Sequence, residues 1–368
     1  MTTIHLVYPY GPVIRTPETI GRHLAKGLRR EYDVIQYDWN DTRTIEPGAD
    51  DILLGHPHDA PWTIFRRSAR REGWKRIVAM FPYSGDPRKV ETFDPVVPRC
   101  DLVLAITGKY WFDTINDSLF SHWAPKMIHL DLAVDRTEFP VIKKFFNPPG
   151  SRRFLYIGNT GWHKNPGYLS DLAGRAGGCP ISWMGTGGHG IRSIVTRGRV
   201  GGREIRGTKA LGSYDFSAEE SQQLVAEHDF LLTVGKGDPN PTTILEAMAW
   251  GLVPVCTPTS GYVGYPGIVN IPPDDVDRAA TVLQELQELS GSSLLDMQRV
   301  NWQTLDSHFN WGRFTDQVIE AIRSEASPPL SRESPLRLAR LRAGALVSPE
   351  SLLRRHNLKL LMASRPRG

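Results

Sequence analysis

Cysteine is scarce in this chain. Its three copies, Cys100, Cys179 and Cys256, are scattered without metal-ligand spacing across 368 residues, which excludes a disulfide scaffold and fits a reducing compartment. Long apolar runs are absent as well: none approaches the ~18 residues of a membrane span. The opening MTTIHLVYPYGP has neither the charged start nor the cleavage site of a signal peptide, so a cytoplasmic protein is expected. On that expectation the glycosylation-like triplets at Asn40 and Asn116 are accidental. Charge of one sign is missing from most of the sequence. The net +4 hides a basic end, because residues 331–368 carry nine Lys/Arg against Glu333 and Glu350, which leaves −3 for the rest. Such a body is no nucleic-acid binder by charge. What remains is 40% hydrophobic and 23% charged, the composition of an ordinary globular protein, and its length asks for two domains.

The pattern of elements is α/β. Apolar runs of strand length (Ile4–Tyr8, DVIQY, DILLG, RIVAMF, LVLAI) alternate with helical stretches near Glu18–Arg30, Pro61–Glu72 and Lys109–Ile115. That alternation predicts parallel sheets covered by helices on both faces. A polar, proline-rich stretch, KKFFNPPGS, reads as a linker, and a second alternating half starts at RFLYIG. His56 and His58 follow the strand DILLG, at the strand end where open parallel sheets bind ligands. No further His or Cys is spaced to complete a metal site with them.

The densest signal is Phe230–Val255. FLLTV is a strand, GKGDPN a loop, and PTTILEAMAW a short helix with Asn240 placed to cap it, Pro241 at its first position and Gly251 ending it before the strand LVPV. Ile244, Leu245 and Met248 share one face, while Glu246 leaves on roughly the opposite side. Asp238 in the loop and Glu246 in the helix bracket a helix start whose free N–H groups attract phosphate. Carboxylates beside such a start suit the hydroxyls and diphosphate of a sugar nucleotide. A capped helix with a solvent-facing Glu is the plainer alternative.

This stretch resembles the acidic-x7-Glu signature, with its EAMAxGxPV helix, of retaining glycosyltransferases of the GT-B fold, in particular family 4. The resemblance implies two Rossmann-like domains whose parallel sheets face a central cleft. It also implies that Asp238, standing where the family usually has Glu, contacts the donor sugar, and that Glu246 contacts the ribose. Pro239, Asn240, Pro241, Thr242 and Thr243 would form the donor loop and helix start between them. In RFLYIGNTGWHKNPGYLSDLA, Lys164 matches the family lysine that touches the donor diphosphate, and Asn159 replaces the family arginine. Lys236 is the candidate cation to compensate. Gly11 and Arg15, in a loop where Pro12 replaces the second glycine, become candidate donor-phosphate or acceptor contacts. His56 occupies a position where the family often has a catalytic-side His, although Phe81-Pro82-Tyr83 replaces the substrate-side His of many relatives. Gly185 falls in the Gly turn of ISWMGTGG, and the Gly212–Tyr214 turn, with Tyr214, is where the family binds the base.

On the same basis the domains run 1–145 (acceptor side), 146–308 (nucleotide-sugar side), 309–325 (a closing helix, FNWGRFTDQVIEAI, that crosses back) and 326–368 (a basic, Leu-rich tail). The expected activity is metal-independent transfer of a hexose from a UDP- or GDP-linked donor to a glycan or lipid-linked acceptor, with retention, and no cofactor beyond the donor. A nucleotide-sugar epimerase or a non-catalytic nucleotide-sugar-binding protein is the alternative. Two further features are physical rather than inherited. Ser217 with Glu220 reads as a capping box for AEESQQLVAEH, and the acidic Asp275-Val276-Asp277 starts a helix rather than binding metal. The arginines Arg66/Arg70 and Arg67/Arg71 stack at i,i+4, a mildly repulsive arrangement that an anionic partner such as a membrane surface or a phosphorylated lipid would relieve. A solvated basic face is the bland reading of the same helix.

Overall fold

A computed structural model describes residues 2–11, 16–86, 88–185, 199–200, 203–205, 207–212 and 218–324. Arg15, Tyr214, Ser217 and the basic tail lie outside the described residues. The first half contains β1 (Thr3–Val7), α1 (Thr16–Leu28), β2 (Asp33–Tyr37), β3 (Ile52–Gly55), α2 (Ile64–Ser68), β4 (Arg76–Pro82), α3 (Arg88–Phe93), β5 (Leu102–Ile106), α4 (Lys109–Asp113) and β6 (Met127–Leu130). Its six strands pair in the order β2-β1-β3-β4-β5-β6, every pair parallel. All five residues of β5, LVLAI, are buried. Continuous apolar runs of this kind are what a strand covered on both faces requires.

The second half repeats the plan. It contains β7 (Phe154–Ile157), α5 (Pro166–Arg175), β8 (Ile181–Met184), the two-residue strands β9 (Arg199–Val200) and β10 (Arg203–Glu204), β11 (Thr208–Gly212), α6 (Glu219–Ala226), β12 (Phe230–Thr233), α7 (Thr242–Trp250), β13 (Val253–Cys256), β14 (Val269–Asn270), α8 (Val276–Gln287), α9 (Gly291–Ser307) and α10 (Trp311–Arg323). A second six-stranded parallel sheet runs β11-β8-β7-β12-β13-β14. The core of this half is built from alternate residues of its strands, such as Phe154, Tyr156, Phe230, Leu232, Val253 and Val255, against Leu169, Leu172 and Leu283 of the covering helices.

Several elements differ from the sequence reading. Helix α2 spans five residues rather than the expected twelve; past its end the Ser68 carbonyl accepts from both the Arg71 amide and the Trp74 indole, each at 2.9 Å. Arg66 is buried rather than part of a solvated face: its Nε donates to the Pro57 and His58 carbonyls, both at 2.7 Å, and its Nη2 to the Thr92 carbonyl at 2.5 Å. Asn240 does not cap α7. The cap position falls to Pro241, and the Asn240 side chain accepts instead from the Tyr262 hydroxyl. Gly251 does end that helix, at φ 95°, in the left-handed region where a side chain is strained. The acidic run before α8 acts as expected of a first turn: Asp275 caps it, accepting from the Arg278 amide at 2.8 Å.

Two contact zones join the halves. The chain crosses between them twice, and the crossings are bonded to each other: Val134 N–H donates to the Phe309 carbonyl at 2.9 Å, and the imidazole of His308 meets Asp131 at 2.8 Å. Helix α10 then lies on α1, where Gly27 gives room to Thr315 and Arg30 pairs with Asp316 at 2.7 Å. Arg76, at the start of β4, donates to the last carbonyls of α10, Ile322 and Ser324. The other zone joins loops through backbone groups and one indole. Gly108 N–H donates to the Pro239 carbonyl at 2.8 Å, and Trp111 Nε1 donates to the carbonyls of Asp238 at 3.3 Å and Thr259 at 3.2 Å. A Cβ on Gly108 would stand 2.1 Å from the Gly261 carbonyl oxygen, so only glycine permits the approach. Gly108→Ala is therefore expected to cost about 1–3 kcal/mol of stability through overpacking. Urea unfolding of the variant beside the parent checks this; an unchanged midpoint would mean that the two halves separate at no cost.

Candidate functional site

The loops that leave the C-terminal ends of β1, β3, β4, β7 and β12 converge on one cleft. It has two lobes, of about 600 Å³ and about 370 Å³, which share Thr16 and Leu132 on their walls. The larger lobe lies against α7 and the first crossing, with Gly11, Thr242 and Glu246 among its lining. The smaller lies between the β3 and β4 loops of one half and the Trp162–His163 and Gly237–Asn240 loops of the other.

Lys164 and Asp238 meet here, 74 residues apart in sequence. The lysine ends a one-turn 3-10 helix after β7, and Asn165 turns the chain through φ 54° before Pro166 opens α5. Its ammonium forms an ion pair with the Asp238 carboxylate, the two side chains being only 13% and 11% exposed. Charges so far withdrawn from water persist only as partners, and each is left costly if the other is removed. A ligand that bears its own anion can replace the carboxylate at the ammonium. Asn159, in the family arginine's place, is engaged in its own loop, where its Oδ1 accepts from the Gly161 amide at 2.9 Å. Lys236 stands over the Trp162 ring, 5.7 Å from its centroid. It thereby brings a second cation to the rim where Trp162 and Gly237 line the smaller lobe.

Glu246 leaves the apolar side of α7, as its spacing predicts, but ends in the larger lobe and not in open solvent. Burial pushes its carboxyl up to about 7, against the smaller opposing effects of a hydrogen bond with Thr242 and the positive charge of Lys164. One turn earlier, the buried Thr243 hydroxyl has no partner among the described residues. Pro239 is tied to Gly108 through its carbonyl, and Asn240 to Tyr262.

His56 lines the smaller lobe, packed edge-on by Tyr8, Trp39 and Phe93. Burial holds its pKa well below the ordinary value, helped by the positive charges of Lys89, His58 and Arg66, so the ring is neutral at neutral pH. Its Nδ1 accepts from the His58 amide at 3.0 Å, which assigns the proton to Nε2. A neutral ring protonated there donates a hydrogen bond and cannot serve as a base through that nitrogen. Beside it, the Tyr8 hydroxyl is buried and without a partner among the described residues. Gly185 lines neither lobe. It lies where a Cβ would meet the Gly158 carbonyl at 2.1 Å, and so lets the β7 and β8 loops close on each other.

Sequence reasoning missed Tyr8, Ser84, Asp86, Lys89, Trp162 and His163, all of which line the smaller lobe. A tyrosine inside an apolar strand reads as core, and a polar residue after a strand reads as loop. The only available signal was position just past a strand's C-terminal end. Among the described residues no three of His, Cys, Asp and Glu are grouped to hold a metal ion.

The Glu246 carboxyl carries a pH signature. Its ordinary value is 4.5 and its folded value about 7, so the folded state holds the proton more tightly and its stability falls as pH rises through that interval. Glu246→Gln cannot ionise. It is expected to raise the melting temperature above the parent's at pH 8 and to change it little at pH 5, a pattern that thermal unfolding at the two pH values reads directly. A parent that is equally stable relative to the variant at both pH values contradicts it.

No protein-family model matches the chain. Granule-bound starch synthase 1 of Pisum sativum is 26% identical over 117 residues, and the match takes in 28% of this chain and 19% of that protein, so the chain spans under a fifth of this curated relative. Solved structures match over far more. A glycosyltransferase from Rickettsia africae superposes with TM-score 0.60 at 11% identity, over 88% of this chain and 99% of that one. Sucrose-phosphate synthase from Thermosynechococcus elongatus gives 0.62 at 11%, over 88% and 98%. HepE from Anabaena, in complex with UDP and glucose, gives 0.59 at 13%, over 87% and 99%. With two six-stranded parallel sheets opening onto one cleft and these neighbours, the chain has the GT-B fold.

Proposed function

We propose that this protein is a glycosyltransferase that moves a hexosyl group from a UDP- or GDP-linked sugar to a hydroxyl of a glycan or lipid-linked acceptor, with retention, in glycan or polysaccharide biosynthesis. The observation that carries the reading is the Lys164–Asp238 ion pair at the junction of the halves, beside the start of α7. The donor would span both lobes, with its ribose at Glu246, its diphosphate at Lys164 and the amides of Thr242 and Thr243, and its sugar between Asp238 and His56. On arrival the diphosphate takes the ammonium from Asp238. The carboxylate is then free to accept hydrogen bonds from sugar hydroxyls, while His56 Nε2 and the Tyr8 hydroxyl supply donors from the opposite wall. As the bond from the anomeric carbon to the diphosphate breaks, negative charge builds on the departing phosphate, where a fixed cation and helix-start amides are worth most. The solved complexes of HepE with UDP, with UDP and glucose, and with UDP-glucose support a nucleotide-sugar ligand for a cleft of this fold.

Lys164 and the amides replace a divalent ion in this reading, so transfer is expected to persist in EDTA. A complete loss that Mn²⁺ or Mg²⁺ restores would refute the metal-independent step. The acceptor side would be the β3 and β4 loops, and a peripheral position on the cytoplasmic face of a membrane suits a lipid-linked acceptor.

The two carboxylates are expected to fail differently. Glu246→Gln, remote from the bond that breaks, should weaken nucleoside-diphosphate binding by about 1.5–3 kcal/mol at pH 8, where the carboxyl is ionised and its hydrogen bond to the ribose is charge-assisted. Asp238→Asn should lower kcat by misplacing the sugar, and should leave nucleoside-diphosphate affinity equal or tighter, because Lys164 no longer has to surrender a partner. Calorimetry with the nucleoside diphosphate, beside turnover of both variants, separates these roles. The assignment is wrong if Asp238→Asn loses the nucleotide while Glu246→Gln keeps it.

A further inference from the structure

Outside the cleft, on the first half, a cavity of about 280 Å³ lies between α2 and the segment after α3, and three arginines face it: Arg66, Arg70 and Arg99. Arg66 is 7% exposed, and its Nε and Nη2 are spent on the carbonyls of Pro57, His58 and Thr92; its Nη1 has no hydrogen bond to a described residue. The side chains of Arg70 and Arg99 make neither ion pair nor hydrogen bond with any described residue. Their neighbours on the other side of α2 are satisfied, for Arg67 donates to the Thr42 carbonyl and Arg71 pairs with Glu46 at 2.9 Å. One carboxylate, Asp59, lines the same cavity. Burial first, and Arg70 as well, pull the Arg66 guanidinium below its ordinary range, with Asp59 acting in the opposite direction. Three guanidinium groups around one hollow with one carboxylate between them leave a positive balance that nothing described neutralises.

We propose that this hollow is an anion site separate from the donor cleft, one that takes a phosphoryl group. Guanidinium forks such as those of the exposed Arg70 and Arg99 match phosphate oxygens in pairs, and the buried Arg66, fixed by three carbonyls, adds the single donor Nη1 in a set position. The volume falls just under the ~300–1,000 Å³ of ordinary small-molecule sites, which suits a headgroup-sized ligand rather than an oligosaccharide. Two sources share this chemistry, a free phosphate and the headgroup of an anionic lipid. Trp62, 62% exposed and next to the lining residue Pro61, is an aromatic of the kind that sits at a membrane interface. The site is also wired to the cleft. Arg66 holds the loop that carries His56, and it holds α3, from which Lys89 reaches the smaller lobe. The proposal does not depend on the transferase reading, since it concerns binding alone.

The test uses the full chain carrying Lys164→Ala, so that phosphate at the donor cleft is not counted. Inorganic phosphate and pyrophosphate are titrated at constant ionic strength and followed by thermal unfolding. Flotation with vesicles of phosphatidic acid in phosphatidylcholine, against phosphatidylcholine alone, forms the second arm. The double substitution Arg70→Glu/Arg99→Glu changes exposed side chains and should leave the fold intact; it is expected to weaken whichever binding is seen by about tenfold or more. Asp59→Asn should tighten it. Loss of the inorganic anions alone assigns the site to a free phosphate, and loss of vesicle binding assigns it to a lipid headgroup. The proposal is overturned if neither probe binds, or if binding is the same in the parent and the double arginine variant.

Discussion

The structure depends on a close approach of two backbones. Gly108 donates its amide to the Pro239 carbonyl, and Gly261 comes so close that there is no room for a methyl group. Backbone is brought against backbone at the point where the loop after β5 meets the loop after β12. Asp238 is one residue from the bonded carbonyl, Trp111 reaches across to its main chain, and Asp238, paired with Lys164, stands in the wall of the smaller lobe. A glycine is the least informative residue in a sequence, and here it sets the width of the site.

Around that contact the electrostatics are arranged by depth. Asp238 and Lys164 neutralise each other where water is scarce, Glu246 is held near its protonated form by the walls around it, and His56 is kept uncharged by burial and by the cations behind it. The Lys164–Asp238 pair and the neutral His56 ring thus add no net charge to the cleft. Its capacity to bind an anion is stored in an ion pair that can be exchanged, and its hydrogen-bonding capacity in a neutral imidazole and an unpartnered tyrosine hydroxyl. The proposed donor, a charged diphosphate joined to a polyhydroxylated ring, would use both.

Much of the scaffold could be read from the chain itself. The runs DILLG, RIVAMF and LVLAI are strands covered on both faces, and an apolar run of that length has few other uses, whereas DVIQY forms the sheet edge with Ile35 exposed. Gly251 was legible because a left-handed helix end has a strong residue preference. What could not be read depends on partners distant in sequence. The burial of Arg66 rests on carbonyls eight, nine and 26 residues away, and the Ser68 carbonyl at the early end of α2 accepts from an indole six residues downstream. The meeting of Lys164 with Asp238 followed from a resemblance between motifs and not from any spacing, because 74 residues separate them. Asn240 looked like a cap until Tyr262 claimed its oxygen.

The two places where the halves touch differ in kind, and the difference has a mechanical consequence. The paired crossings, tied by Val134 to Phe309 and by Asp131 to His308, are backed by α10 lying along α1. The contact at Gly108 is a few hydrogen bonds between loops. A book has its stitching on one edge and its clasp on the other. Any separation of the halves that keeps the stitched edge must start at the clasp, where the Trp111 indole parts from the main chain of Asp238. Asp238 and Lys164 both belong to the second half, so such an opening widens the cleft beside their ion pair without breaking it.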